Sequence, residues 1–489
     1  MGLPIIFGGT LPGALNSSMI KPLALHQDRL FPVDPATRGV ARRLYEHIRA
    51  LPIVSPHGHT DARWFADNAA FTDPVQLLVT PDHYLLRMLY SLGVPLEQLG
   101  VQPRTGAAAS SDAREIWRLF ARHYHVFRAT PSRLWLDSVF AEIFGMQVQL
   151  TAETADDYFD AIQEKLRQDS FRPRALFDTL CIEVLATTES PLDELNFHRA
   201  LRESSWPGRV ITTFRPDPVL DPQHQTFREN LGKLSQITGR DAFSYGEYLQ
   251  ALRDRRKVFA AMGATATDHG HPSAATADLS EREAQGLFRR VTTSAASAAD
   301  AEQFRAHMLT VMAGMSLDDG LVMQIHPGAW RNHNAALYAR FGSDKGADIP
   351  TPTNYVQALK PLLDRYGNER NLTVIVFTLD ESTYARELAP LAGHYPVLKL
   401  GPAWWFHDSP QGMRRFRRET TETAGFYNTV GFNDDTRAFL SIPARHDVAR
   451  RIDSGFLAEL VTEHQLEEDD AAEIAVELTY KLVKQAYKL

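Results

Sequence analysis

Short apolar runs, rich in β-branched residues and each stopping at polar or glycine-containing residues, recur along the chain with helix-length stretches between them. Eight stand out, at residues 51–55, 183–188, 209–214, 263–267, 320–325, 372–378, 396–400 and 429–432. Runs of this length bounded by turn residues read as strands buried on both faces, and their alternation with helical segments predicts a parallel sheet. Eight units are the number that closes a TIM-type (β/α)8 barrel, which is the predicted α/β fold. Helical patterns anchor the alternation. Residues 354–367 place Tyr355, Leu359, Leu362 and Leu363 on one face and end at Gly367. Near the C-terminus, Ile474, Leu478 and Leu482 recur every four residues after an acidic start at residues 467–470.

The spacing is uneven in one place. About 130 residues separate the first run from the second, far more than one crossover helix needs. Residues 61–174 are therefore predicted to be a helical insertion after the first strand, with helical patterns at 113–125 and 156–168. The barrel is assigned to residues 21–60 and 175–489, including C-terminal helices. The first eighteen residues carry no charge, and Pro4, Gly8, Gly9, Pro12 and Gly13 interrupt what a secretory signal would keep continuous and precede with basic residues. Residues 1–20 read as a flexible extension, with Met19 as an alternative start. Neither an internal repeat of solenoid period nor a low-complexity linker is present.

A chain of 489 residues accommodates one large barrel with insertions or two to three average domains. Its 44% hydrophobic and 23% charged residues fit an ordinary globular protein and not a disordered one. A net charge of −8 argues against gripping nucleic acid or an anionic membrane and favours a small-molecule partner. The single cysteine, Cys181, excludes an intrachain disulfide or a cysteine-built metal site, so any metal must use histidines and carboxylates. No run approaches the ~20 apolar residues that span a bilayer, and a cytoplasmic location is expected.

Candidate chemistry falls just past the strand ends. His57-Gly58-His59 closes the first run, and strand alternation turns both imidazoles to one side, close enough to share a divalent ion. Such pairs also arise by chance in a chain with 18 histidines; the preceding strand pattern and the following Asp61 strengthen this one. A second pair, His269-Gly270-His271, follows the fourth run and reads either as a competing metal site or as a polar loop with only Asp268 and His269 facing the pocket. Asp435-Thr436-Arg437 closes the eighth run. A carboxylate there completes a His-His-Asp site or serves as a general base, with Arg437 clamping an anion; the plainer alternative is an ordinary Asp–Arg pair. Arg215, Arg331 and Arg437, after separate strands, would concentrate positive charge at the mouth of an acidic barrel, which suits a carboxylate-bearing substrate. Arg414, Arg415, Arg417 and Arg418, with Glu419 and Glu422 nearby, read instead as a solvated helix face. Trp404-Trp405 is either packing or a wall for the C–H face of a sugar.

Eight segments carry a family pattern: Pro56-His57-Gly58-His59, Asp82-His83-Tyr84, Thr187-Thr188-Glu189, Phe214-Arg215-Pro216-Asp217, Asp268-His269, the run from Gln324 through His326 and Arg331 to Asn334, Gly401-Pro402-Ala403-Trp404-Trp405-Phe406, and Asp435-Thr436-Arg437. Over residues 23–489 the chain thereby resembles the uronate (glucuronate) isomerases, a branch of the amidohydrolase superfamily. The resemblance implies interconversion of D-glucuronate with D-fructuronate and of D-galacturonate with D-tagaturonate, an aldose–ketose shift in hexuronate catabolism. It implies His57, His59 and Asp435 as the metal set, and Tyr84, Arg215, Asp268, His326, Arg331, Trp404 and Arg437 as the other active-site residues. The shift needs a base for the C2 proton, an acid near the C1 oxygen and stabilisation of the enediolate between them. Asp435 is the candidate base and Tyr84 a candidate acid, with His326 and Asp268 also catalytic; Arg215, Arg331, Arg437 and Trp404 bind substrate, one arginine clamping its carboxylate. The fourth run ends in Thr267-Asp268-His269 without the bridging lysine of binuclear superfamily members. At most one divalent ion, zinc, is therefore expected, not strictly required, with no nucleotide cofactor. Self-association into a homo-oligomer is expected as well. Two rivals share the barrel: a metal-dependent hydrolase of a sugar-acid lactone or amide, and a non-catalytic sugar-acid-binding protein.

Overall fold

The computed structural model describes residues 21–106, 108–293 and 296–489, and the extension expected over residues 1–20 lies outside the described residues. Seven of the eight apolar runs form one parallel sheet, hydrogen-bonded in chain order: Ile53–Ser55, Ile182–Glu189, Arg209–Phe214, Ala266–His269, Val322–Ile325, Val374–Val376 and Leu398–Leu400. Alternate residues face opposite ways and both sides are covered. Val54, Val184, Ala186, Ile211, Ala266, Val322 and Ile375 share an inner cluster with Val483 and Tyr487 of the C-terminal helix. Met323, Ile325, Val374, Val376, Leu398 and Leu400 pack outward with the helices. This double burial is why the runs are continuously apolar.

The sheet curls until groups from distant strands meet: His57, after the first strand, stacks on His326, after the fifth, with ring centroids 5.0 Å apart. It does not close as the expected (β/α)8 barrel. The architecture is a large curled, open sheet with helical insertions. Among the described residues, the eighth run joins the seventh strand through a single parallel bridge, Leu400 to Thr429. Gly431 supplies the reason. Its φ of +75° ends the extended backbone, and a Cβ there would lie 2.4 Å from the Leu478 carbonyl oxygen. On the functional side a loop contact spans the gap, with the His59 amide donating to the Thr436 carbonyl at 3.0 Å.

Helices between the strands begin where short polar side chains cap them. Ser280 with Glu283, and Ser297 with Asp300, form reciprocal capping boxes at the starts of Glu281–Val291 and Ala298–Asp319. Between the first two strands, Asp61, Asp73, Asp82 and Asp112 cap Ala62–Asp67, Pro74–Leu78, His83–Ser91 and Ala113–His123. The apolar faces of these segments, with Trp117, Phe120 and Phe140, share one cluster with Ile53, Ile182, Leu185 and Val210 of the first three strands. No described helix is long and apolar enough to cross a membrane.

Two local expectations are corrected. The helix expected over residues 354–367 begins only at Lys360 and runs Lys360–Tyr366. The Glu387 carboxylate takes the Tyr355 amide at 2.6 Å, and Pro361, which lacks an N–H, is accommodated in the first turn. The anticipated apolar residues are nonetheless buried. In Pro410–Ala424, Arg417 leaves the solvated face expected for it: it is buried and grips Asp453 through Nε at 2.6 Å and Nη2 at 3.0 Å.

Candidate active site

A cavity of about 730 Å³ opens at the C-terminal ends of the strands, lined by His57, His59, Tyr84, Arg215, Asp268, His326, Arg331, Trp404, Asp435 and Arg437. The structure thus brings all ten singled-out residues into one space. They arrive from several separate segments. His57 and His59 follow the first strand, Arg215 the third, Asp268 lies in the fourth, one residue before its end, and His326 follows the fifth, while the Asp82 cap holds Tyr84 in the first turn of His83–Ser91.

Asp435 sits at φ +38°, a left-handed conformation that aspartate tolerates better than most residues. Its two oxygens have different neighbours. Oδ1 lies 3.1 Å from His59 Nε2 and 3.6 Å from His57 Nε2. Oδ2 accepts the indole N–H of Trp404 at 2.6 Å. Burial acts to raise the carboxyl's pKa, but the facing imidazoles of His57 and His59 overcome it and hold the acid well below the usual carboxylate range. His57 is pushed down to about 4 by its own burial, so it stays neutral near pH 7.

Asp268 is the second hub, fully buried. Its Oδ2 accepts from Arg215 Nη1 at 2.9 Å, and its Oδ1 faces His326 Nδ1 at 2.7 Å. Burial again opposes ionisation, and Arg215, followed by His326 and His57, overcomes it and holds Asp268 far below its ordinary pKa. An ionised carboxylate can only accept, so His326 Nδ1 carries the hydrogen that faces it, and the buried Nε2 has no hydrogen-bond partner among the described residues. The ring is held between Phe377, at 3.9 Å, and His57.

The arginines differ in what they have left to offer. Arg215 gives Nε to Asp217 Oδ2 at 2.9 Å as well as Nη1 to Asp268. Arg331 gives one Nη1 hydrogen bond to Asp348 at 3.0 Å and lies over Trp405. Arg437 gives Nη2 to Asp344 at 3.0 Å. With five N–H donors on each guanidinium, Arg331 and Arg437 retain donors beside the cavity. Tyr84 Oη donates to Asp408 Oδ2 at 2.8 Å, and its pKa is raised well above 10.0, first by burial and then by the Asp408 charge.

Sequence reasoning missed Asp408 and Arg445. Arg445 Nη1 donates to Asp408 Oδ2 at 2.9 Å, and its guanidinium lies 3.5 Å from the Trp135 ring centroid. The available signal was a charged residue in Ile442–Thr462, which is buried along most of its length. Glu189 also lines the cavity, and burial pushes its pKa up to about 7.

Among the described residues, three groups bring one potential metal-ligand atom per residue within 4.8 Å of one another: His57, His59 and Asp435; His57, Asp268 and His326; and Asp217, His269 and His271. The first is a plausible divalent-metal site. It pairs two imidazoles, that of His57 held neutral by burial, with a carboxylate that stays ionised.

The family model for glucuronate isomerase matches residues 35–487. Over 475 residues the chain is 68% identical to a uronate isomerase from Sphingopyxis alaskensis, covering 96% of this chain and 100% of that protein. The crystal structure of glucuronate isomerase from Caulobacter crescentus is similar with a TM-score of 0.94 at 60% identity, over 96% of this chain and 98% of that one. The uronate isomerase structure from Thermotoga maritima gives a TM-score of 0.88 at 25% identity, over 95% and 99% of the respective chains.

Proposed function

From the premise that this chain belongs to the glucuronate isomerase family, we propose that its isomerase reaction is the aldose–ketose shift of a hexuronate, D-glucuronate to D-fructuronate and D-galacturonate to D-tagaturonate. Asp435 carries this reading: an ionised carboxylate shares a cavity with Arg331 and Arg437, whose remaining donors suit a substrate carboxylate. Asp435 takes the C2 proton and returns it at C1, with an enediolate between the two transfers. Nε2 of His326, without a hydrogen-bond partner among the described residues while Asp268 holds the Nδ1–H, accepts the O2 proton as the enediolate forms. The Tyr84 hydroxyl gives a proton to O1, and one proton passing from His326 to Tyr84 restores both groups. Trp404 fixes one oxygen of the base by its indole N–H. Arg215 keeps Asp268 ionised and so sets the His326 tautomer. The proposed metal ligands are His57, His59 and Asp435; a zinc ion bound there would supply Lewis-acid polarisation of a substrate oxygen.

The same reading takes the enzyme to act in the cytoplasm, in hexuronate catabolism, as a homo-oligomer whose partner is the small sugar acid. Proton NMR of the purified enzyme with D-glucuronate or D-galacturonate in D₂O tests it, before and after verified chelation. Conversion to the ketose with solvent deuterium entering the substrate is the expected result, and its persistence without metal would make the ion auxiliary. If folded, metal-loaded enzyme leaves both uronates unchanged, the assignment fails and sugar-acid lactones become the substrates to try.

A further inference from the structure

His269, Gly270 and His271 leave the fourth strand on the side of Arg215 and Asp217. His269 is fully buried and His271 is 3% exposed. Nδ1 of His269 and both nitrogens of His271 have no hydrogen-bond partner among the described residues. The other nitrogen of His269, Nε2, faces Thr267 Oγ1 at 3.1 Å. Asp217 Oδ1 lies 3.8 Å from His271 Nε2, and one ligand atom from each of Asp217, His269 and His271 lies within 4.8 Å of the others.

We propose that Asp217, His269 and His271 form a second divalent-cation site beside the active cavity, separate from the set that contains His57. The loop is built to hold it. The Gly270 amide donates to Asp217 Oδ2 at 3.0 Å, and a Cβ on Gly270 would lie 2.2 Å from Arg215 Nη2. It would also lie 2.9 Å from Asp217 Oδ2, so the missing side chain leaves room for Arg215 and Asp217 against this loop. Thr267 engages one nitrogen of His269 and leaves the other for a ligand, the orientation that an outer hydrogen bond gives a metal-binding imidazole. Burial keeps both rings neutral, with His269 pushed down to about 3 and His271 lowered as well, so their lone pairs stay available at neutral pH. Around His271 the carboxylates of Asp217, Asp221 and Glu302 face the guanidinium of Arg305, while Arg256 acts on His269 and Arg215 pairs with Asp217. Two imidazoles and a carboxylate select a borderline divalent ion, zinc first, over calcium or magnesium. The ion would share Asp217 with Arg215, whose Nη1 holds Asp268 at 2.9 Å, and so stand one residue away from the catalytic groups.

Zinc binding to the full-length protein tests the site without reference to any sugar. After exhaustive chelation, protein is titrated with Zn²⁺ and the bound metal is counted by elemental analysis. Wild type should bind a second zinc per chain that His271→Ala and Asp217→Asn each lose while retaining the first; His59→Ala should lose the first and retain the second. Anomalous diffraction at the zinc edge on wild-type crystals should show a peak between Asp217, His269 and His271, and needs no variant to fold. A single zinc that His59→Ala abolishes and His271→Ala retains, or no anomalous peak at this place in zinc-saturated crystals, overturns the proposal. Either result leaves the isomerase assignment untouched, because that is read from sugar conversion.

Discussion

The indole N–H of Trp404 points at Asp435 Oδ2 from 2.6 Å, while the same ring meets His326 edge-on with centroids 4.6 Å apart. One side chain therefore aims the proposed base and packs against the ring proposed to handle the O2 proton. Trp404→Phe keeps an aromatic face for His326 but removes the donor. A hydrogen bond to a charged group contributes about 1.5–3 kcal/mol, so kcat/KM should fall about 10- to 100-fold, with the far-UV circular dichroism unchanged. An unaltered kcat/KM in the folded variant would remove Trp404 from the positioning of Asp435.

Arg331 and Arg437 each form one ion pair with a carboxylate at the cavity wall, whereas Arg215 is divided between Asp217 and Asp268. Substituting each with methionine should separate their roles. Arg331→Met and Arg437→Met should raise KM for D-glucuronate at least about tenfold, the effect of losing one charge-assisted contact. Arg215→Met should act mainly on kcat, because it leaves Asp268 buried without its guanidinium partner and disturbs the His326 tautomer. Steady-state kinetics read the split, and a kcat-only effect at both Arg331 and Arg437 would take the carboxylate clamp away from them.

Most of the sheet was legible because parallel strands are buried twice over: residues 183–188 and 209–214 carry their apolar character on both faces and run side by side in Ile182–Glu189 and Arg209–Phe214. The eighth run looked no different, yet Gly431 turns it away from the ladder. A glycine inside an apolar run does not announce its φ; Gly263 and Gly320, before the fourth and fifth strands, also take positive φ but lie outside the strands they precede. Arg417 escaped for another reason. Charge and helical spacing mark a solvent face only when no partner waits inside, and Asp453 comes from a different helix. The Arg445–Asp408 pair was hidden by the same long-range dependence.

Gly431 gives the open edge of the sheet a direct test. Its φ is +75°, and a Cβ would sit 2.4 Å from the Leu478 carbonyl oxygen and 2.6 Å from a Val483 methyl. Gly431→Ala meets both backbone strain and overlap with the C-terminal helices, each destabilising by about 1–3 kcal/mol. The variant should unfold at lower denaturant concentration than wild type in a urea titration followed by tryptophan fluorescence. Gly232→Ala is the control, since nothing lies within 4 Å of its added Cβ. Equal midpoints for Gly431→Ala and wild type would mean that the eighth segment is not pinned as described.

Glu189 links stability to pH in the opposite sense from most paired carboxylates. Burial raises its pKa from an ordinary 4.5 to about 7, against smaller lowering by Thr212 and Thr187, and His198, itself pushed down to about 4 by burial, offers no positive charge in compensation. Between those two pKa values the folded chain holds a proton on Glu189 that the unfolded chain has released. The stabilisation is therefore complete below the unfolded value, declines as pH climbs above it and is lost as pH rises through the folded one, a change on the order of 3 kcal/mol. Glu189→Gln stays neutral at every pH and removes that slope. Other groups titrate over the same range, but they are common to both proteins, so the difference between variant and wild type isolates Glu189. Thermal unfolding at intervals from pH 5 to pH 8 should show Glu189→Gln gaining on wild type as pH rises, most steeply between the unfolded and folded pKa values and levelling off above about pH 7. Parallel stability curves across that range would mean that Glu189 is ionised in the folded protein with an unshifted pKa.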